Sequence, residues 1–367
     1  MIIKNAKVFT LNGFEYRDIC ISGDRITDSS ADSEIIDATG LMAIPGLVDI
    51  HLHGAMGHDF CDVTDDYQNH LSEIAKYEAH NGVLAFCPTT MTYGEEKIKE
   101  IIEAIGLHNE SIVGINLEGP FISPEKAGAQ NPEYIMDADS DMLGRLISTG
   151  GGLVKIIDIA PEIPGAMELI KKYGDKLRIS IAHTNASYDI AKEAFDKGAK
   201  ELTHIYNAMP GINHREPGPI IAAYESDAMV ELIADGIHVH PGVVKFTFDM
   251  FGKDRVILIS DSMEATGLND GTYKLGGQDI TVKGNKATLV KDPTVIAGSV
   301  TNLFDCMKSA HSMGVELQSV IQAATYNPAK AIGIDSEYGL LEPGYYANIV
   351  LIDDELNIRH IINRGYR

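Results

Sequence analysis

The residues in this chain best equipped for chemistry are histidines and carboxylates that close apolar runs. His51-Leu52-His53 ends the run that starts Leu47-Val48-Asp49-Ile50. Side chains alternate along a strand with a period of two, so both imidazoles share one face. Two neutral imidazoles side by side can chelate a divalent transition metal, although the pair alone fits two surface histidines equally well. His183 and His204 end two further runs, and Glu118 ends another. Histidines and a carboxylate with a coordination position left open make a catalytic metal set, not a closed structural one. Asp261 follows Val256-Ile257-Leu258-Ile259-Ser260. An ionised carboxylate after such a run has to be compensated by a metal, a proton or hydrogen bonds. Beside a metal-bound water it would serve as general base and then as general acid toward a leaving amine. The competing reading of Asp261 is a helix N-cap at a strand-to-helix turn.

Positioning these groups on one site demands a particular architecture. Eight apolar runs are legible: 47–51, 83–87, 112–117, 153–159, 178–182, 201–204, 229–234 and 256–260. Amphipathic stretches such as 66–80, 186–197 and 241–251 lie between them. Buried parallel strands read as continuous apolar runs, and these connections are long enough for crossover helices. Eight such units predict an α/β fold with a (β/α)8 TIM-like barrel over residues 46–335; a doubly wound open sheet is the alternative. The runs lead into His51 and His53, Thr89-Thr90, Glu118, Glu162, His183-Thr184, His204, Asp235 with His238, and Asp261. A barrel gathers its strand C-termini at one mouth, whereas an open sheet spreads them along an edge, so the barrel is preferred.

Residues 1–45 read as short strands broken by Asn12-Gly13, Ser22-Gly23 and Gly40, and 347–353 and 358–363 read likewise. They predict a small β-sandwich domain built from both chain ends, 1–45 and 336–367. Residues 269–296 are expected to form a β-hairpin insertion in the barrel, followed by helices over 300–313 and 317–325.

Composition narrows the function from the other side. The 367 residues include 53 acidic and 30 Lys and Arg, a formal net charge of −23. Such a surface argues against nucleic acid and against anionic membranes as partners. No apolar run approaches the length that spans a bilayer, and Met1-Ile2-Ile3-Lys4-Asn5 opens no basic-then-apolar leader. Cys20, Cys61, Cys87 and Cys306 are far apart, which reads as reduced thiols in a cytoplasm, with Cys61 half-buried. His58, His70, His80, His108 and His311 read as surface residues on helices or loops.

The motifs, in order, resemble the amidohydrolase superfamily and, within it, the N-acetylglucosamine-6-phosphate deacetylases. The resemblance is carried by Leu117-Glu118-Gly119-Pro120-Phe121, Ala182-His183-Thr184-Asn185-Ala186, Thr203-His204-Ile205-Tyr206-Asn207-Ala208-Met209 and His214-Arg215-Glu216-Pro217-Gly218. Asp235-Gly236-Ile237-His238-Val239-His240 and Ser260-Asp261-Ser262-Met263 extend it over nearly the whole chain. It implies that the metal-dependent barrel hydrolyses the acetamide of N-acetyl-D-glucosamine 6-phosphate, giving D-glucosamine 6-phosphate and acetate in amino-sugar catabolism. Metal-held hydroxide would attack, with Asp261 as base and then acid. Glu118, His183 and His204 would hold the principal metal. Asn207, Ala208, His214 and Arg215 would bind the sugar phosphate, with Arg215 reaching across a homodimer into the partner's active site. Ala129, Asp235, His238, Ile296, Ala297 and Gly298 would line the substrate pocket.

Two features depart from parts of that family. His51 and His53 are competent for a second metal where some members hold one, so one or two ions of zinc or iron are expected per subunit. Gln130 stands where some relatives carry His in a substrate contact. Relatives with a carboxylated lysine near strand four would need Lys155, which precedes Ile156-Ile157-Asp158 and so does not end its strand. A non-catalytic sugar-phosphate-binding barrel would lack the metal ligands or the acid–base residue, and this chain has both.

Overall fold

The computed structural model describes residues 1–29, 34–106 and 110–367. Eight parallel strands form one sheet whose spatial order follows the chain: Leu47–Leu52, Val83–Thr90, Ile115–Glu118, Val154–Ile159, Arg178–Ile181, Glu201–Leu202, Met229–Ile233 and Val256–Ile259. The first and last strands meet at their C-terminal ends. There the Asp261 N–H donates to the His51 carbonyl at 2.9 Å, and the His53 and Gly54 N–H groups donate to Ser262 O at 2.7 and 3.2 Å. The sheet is therefore a nearly closed barrel, and the open-sheet alternative falls.

Every residue of Leu47–Leu52, Val83–Thr90 and Val256–Ile259 is buried, which is why these strands read as unbroken apolar runs. The helices between strands bury one stripe each. Glu95–Ile105, for example, turns Ile98, Ile101, Ile102 and Ile105 inward at helical spacing. Tyr67–His80, Tyr188–Lys197 and Pro241–Phe251 fill the predicted amphipathic stretches to within two residues. The third strand starts later than its apolar run, at Ile115, and Ile112 contributes only an isolated bridge to Phe86.

The chain ends share one seven-stranded mixed sheet. Its order is Ile358–Ile362, Ile349–Ile352, Met42–Pro45, Ile2–Thr10, Gly13–Ser22 and Arg25–Thr27. The sheet forks at Ile2–Thr10: residues Ile2 to Lys4 pair with Ile35–Asp37, while Lys7 and Val8 pair with Met42 and Ala43. This unit has its own apolar core, including Ile3, Val8, Ile19, Ile21, Leu351 and Ile362. Residues 269–296 are rich in strand. They form a three-stranded antiparallel sheet, Gly271–Leu275, Gln278–Lys283 and Lys286–Leu289, at the barrel mouth. Among the described residues, no helix is long and apolar enough to cross a membrane.

Candidate active site

Three of the candidate residues sit where the chain leaves its barrel strand in left-handed backbone: His183 (φ 43°), His204 (φ 29°) and Asp261 (φ 50°). For a residue with a Cβ this conformation costs roughly 1–3 kcal/mol and persists only where the surroundings impose it. Here it accompanies three side chains that all line one cavity at the strand ends.

Their atoms meet around Glu118. Its Oε1 lies 3.1 Å from His183 Nε2, 3.2 Å from His204 Nε2 and 3.6 Å from His51 Nε2. Its Oε2 lies 3.3 Å from His53 Nε2. Asp261 Oδ1 is 3.3 Å from His53 Nε2 and 3.6 Å from His51 Nε2. Among the described residues three sets of three potential ligands result, each with its ligand atoms within 4.8 Å of one another: Glu118 with His183 and His204, His51 with His53 and Asp261, and His51 with Glu118 and Asp158; the first two share no residue. Glu118 is buried between the two sets and faces both.

The outer partners of the imidazoles test whether a cation fits. His183 Nδ1 lies 2.8 Å from the Lys126 carbonyl, and His53 Nδ1 lies 3.2 Å from the Thr89 carbonyl. A carbonyl only accepts, so both Nδ1 atoms donate, which leaves each inward-facing Nε2 as the atom that would meet a cation. His51 Nε2 is buried with no hydrogen-bond partner. His183 and His204 bring their Nε2 atoms to 3.2 Å. Converging lone pairs beside two carboxylates are the donor set of a transition-metal site.

Electrostatics agrees. Burial opposes charge on Glu118, yet the surrounding imidazoles of His183, His204, His51 and His53 hold its carboxyl well below the usual carboxylate range. Burial likewise opposes charge on His53, but Asp261 and Glu118 push it up to about 10. His204 is held below its ordinary value by burial, with His183 and His51 beside it. Positive charge is thus in demand among the carboxylates, and the histidines compete with one another to carry it.

A cavity of about 400 Å³ opens on this cluster. Of the expected residues, His53, Glu118, His183, His204, Asp261, Ala129, Gln130, Asn207, Ala208, His238, Ile296 and Gly298 line it. Ala297 is buried behind the wall. Asp235 also stands behind, its Oδ2 2.7 Å from His238 Nδ1 and its Oδ1 accepting the His238 N–H at 2.9 Å. His214 and Arg215 are exposed and lie off this wall. Glu162 also stays away from the cavity, because it accepts from the Thr184 hydroxyl at 2.5 Å and from the Asn185 N–H, holding the turn after His183.

Gln130 lines the cavity but is spoken for. Its Oε1 accepts the Thr92 N–H at 2.7 Å, which directs its Nε2 onto Glu118 Oε2. Cys61 is fully buried instead of half-buried, and its sulfur accepts the Met91 N–H. Lys155 starts its strand from the opposite end of the barrel. His58 stacks on His70 and pairs with Glu73 at 2.6 Å, outside the cavity wall; His108 lies outside the described residues.

Several functional neighbours were not foreseen. Met91, Lys126, Gly128, Tyr206, Leu275 and Thr294 also form the wall. Beneath the cluster, the barrel interior holds the buried carboxylates Asp49, Asp158, Glu201 and Glu231. Asp49 Oδ1 accepts the His51 N–H at 3.2 Å, and Asp158 Oδ1 accepts from Thr203 Oγ1 at 2.9 Å. Burial pushes Asp49 up to about 6 and Glu231 up to about 8, the latter against the pull of His51. The signal for all four was present: each is an acidic residue inside a run otherwise fit for a dry strand.

Comparison with known proteins returns a consistent set. A family model described as the amidohydrolase family matches residues 42–365. The N-acetylglucosamine-6-phosphate deacetylase of Bacillus subtilis (strain 168) is 36% identical over 334 residues, covering 88% of this chain and 83% of its own. The N-acetylgalactosamine-6-phosphate deacetylase of Escherichia coli O157:H7 is 32% identical over 330 residues, with 88% and 86% covered. A variant of the Mycobacterium smegmatis N-acetyl-D-glucosamine-6-phosphate deacetylase, solved in complex with N-acetyl-D-glucosamine-6-phosphate, superposes with a TM-score of 0.92 at 31% identity, covering 100% of this chain and 98% of that one.

Proposed function

The chain belongs to the amidohydrolase family, and on that premise we propose that it hydrolyses the acetamide of N-acetyl-D-glucosamine 6-phosphate to D-glucosamine 6-phosphate and acetate. The observation that carries this reading is the convergence of four imidazoles, Glu118 and Asp261, all of them but the buried His51 lining one cavity.

Glu118, His183 and His204 would hold one divalent ion, and His51, His53 and Asp261 a second, zinc or iron by donor chemistry. When bound, such an ion supplies Lewis-acid polarisation of the amide carbonyl and makes water nucleophilic at neutral pH. Asp261, whose carboxylate lines the cavity next to His53, takes the proton of the attacking water and passes it to the departing amine. His238, oriented by Asp235, turns its other ring nitrogen to the cavity, where it donates to the developing oxyanion or to the sugar. Asn207 and Ala208 receive the phosphate end. Arg215, exposed in one chain, completes that end from the partner of a homodimer, with His214 beside it. Residues 46–335 form the catalytic unit, and 1–45 with 336–367 the supporting one, in a cytoplasmic enzyme.

The galactosamine-type relative supports a second substrate, the 4-epimer, in the same site. One experiment separates the readings: acetate release from the phosphorylated glucosamine substrate, its galactosamine epimer and the unphosphorylated sugar, with metal content measured on the same sample. The expected outcome is strong preference for a phosphorylated sugar, and a loss of about 10²–10⁴-fold in kcat in Asp261→Asn. Equal rates on the unphosphorylated sugar would overturn the substrate, and unchanged turnover in Asp261→Asn would overturn the acid–base role.

A further inference from the structure

We infer that Glu231 is a positioning residue for the metal centre: it fixes the His51 tautomer and ties one ligand from each set of three together. Glu231 lies inside the seventh barrel strand, Met229–Ile233, and is completely buried. Its Oε2 is 3.0 Å from His51 Nδ1 and 3.3 Å from the backbone N–H of His204. The His204 N–H donates to Oε2, and as a carboxylate, the form that a cation at this centre favours, Oε2 also accepts from His51 Nδ1. His51 Nε2 is then left as a bare lone pair, which matches its lack of any hydrogen-bond partner and its direction toward Glu118 and Asp261.

One oxygen thereby fastens the His51 ring of one set and the strained backbone of His204 in the other. Farther down the barrel interior, Glu201 Oε2 is paired with Arg178 Nε at 2.8 Å, which brings a cation toward this buried carboxylate layer. Removing an outer carboxylate partner of a ligating histidine typically weakens metal binding about 10–100-fold.

This inference rests on the reading that His51, His53 and Asp261 hold a second ion. Cobalt(II) titrated into metal-free protein, followed by its visible absorption, is the measurement. Wild type should take two equivalents. Glu231→Leu should keep the first and bind the second about 10–100-fold more weakly, while Glu231→Gln, whose amide oxygen still accepts, should recover most of that loss. Wild-type affinity for both equivalents in Glu231→Leu would overturn the inference alone, whereas a single equivalent in wild type would overturn the two-ion reading and the inference with it. Should Glu231→Leu fail to fold, nitrogen-15 NMR of histidine-labelled, zinc-loaded wild type decides: His51 protonated on Nδ1 and bound to the metal through Nε2 supports the assignment, and coordination through Nδ1 overturns it.

Discussion

His238 and Asp235 show how a single pair can be both structural and functional. Burial works against charge on each, but their mutual contact wins, raising the imidazole above its ordinary value and lowering the carboxyl. A raised histidine contributes stability that is full below its unfolded value near 6.5 and is lost as pH rises through the folded value. A lowered aspartate contributes stability that is full above its unfolded value near 3.8 and is lost as pH falls through the folded value. The pair is therefore strongest between those limits. NMR titration of His238 should show it protonated above pH 6.5 in wild type, and Asp235→Asn should move its midpoint down. An unmoved midpoint would detach Asp235 from His238. Such pairing was legible from Asp235-Gly236-Ile237-His238, since a three-residue step around glycine lets one carboxylate cap and contact the following histidine.

At the scale of elements, the loops do the aiming. The segment Lys126–Gln130 supplies the carbonyl that takes the His183 Nδ1 proton, the amide that holds Glu118, and part of the cavity wall. Gly128, which carries no side chain, eases this close passage. A Cβ there would stand 3.3 Å from His183 Cε1, and its φ of +57° disfavours any other residue. Gly128→Ala is expected to tilt His183 and weaken metal binding by about 10–100-fold, read as the metal concentration that restores half-maximal activity. A variant with unchanged metal demand would show that the loop yields without moving the ring. The family resemblance implies a substrate contact for Gln130, which lines the cavity and also bonds Glu118. Its grip on Glu118 depends on Thr92, which lies 38 residues earlier and on another strand end.

For the whole molecule, the net charge of −23 has to coexist with a phosphorylated substrate. Long-range repulsion is screened beyond about 8–10 Å at physiological salt, so local groups decide binding. Within one chain Lys126 is the one Lys or Arg among the described residues that line the cavity, and Arg215 lies off its wall. If a partner supplies it, mixing inactive Arg215→Ala and Asp261→Asn chains restores turnover. The first chain keeps its own Asp261 and receives Arg215 from the second. Failure of the refolded mixture to regain activity, with dimers present by sedimentation, would place Arg215 in its own chain's site or in none.

The sequence by itself determined the barrel, its eight strands and the five metal-ligand candidates with Asp261. Burying parallel strands forces unbroken apolar runs, and chemistry at a barrel mouth must begin where those runs end. It also marked both chain ends as β structure, though not that they fuse into one forked sheet, because pairing between residues hundreds of positions apart leaves no local trace. Only the tertiary structure decided which strand-end residues face the cavity. It set Glu162 to holding a turn and Gln130 to holding Glu118, and it placed Glu231 beneath His51. Those outcomes depend on side-chain directions and on contacts across strands, which periodicity does not encode. The left-handed turns at His183, His204 and Asp261 are of the same kind: a strain that no local preference favours, imposed by closure of the barrel around them.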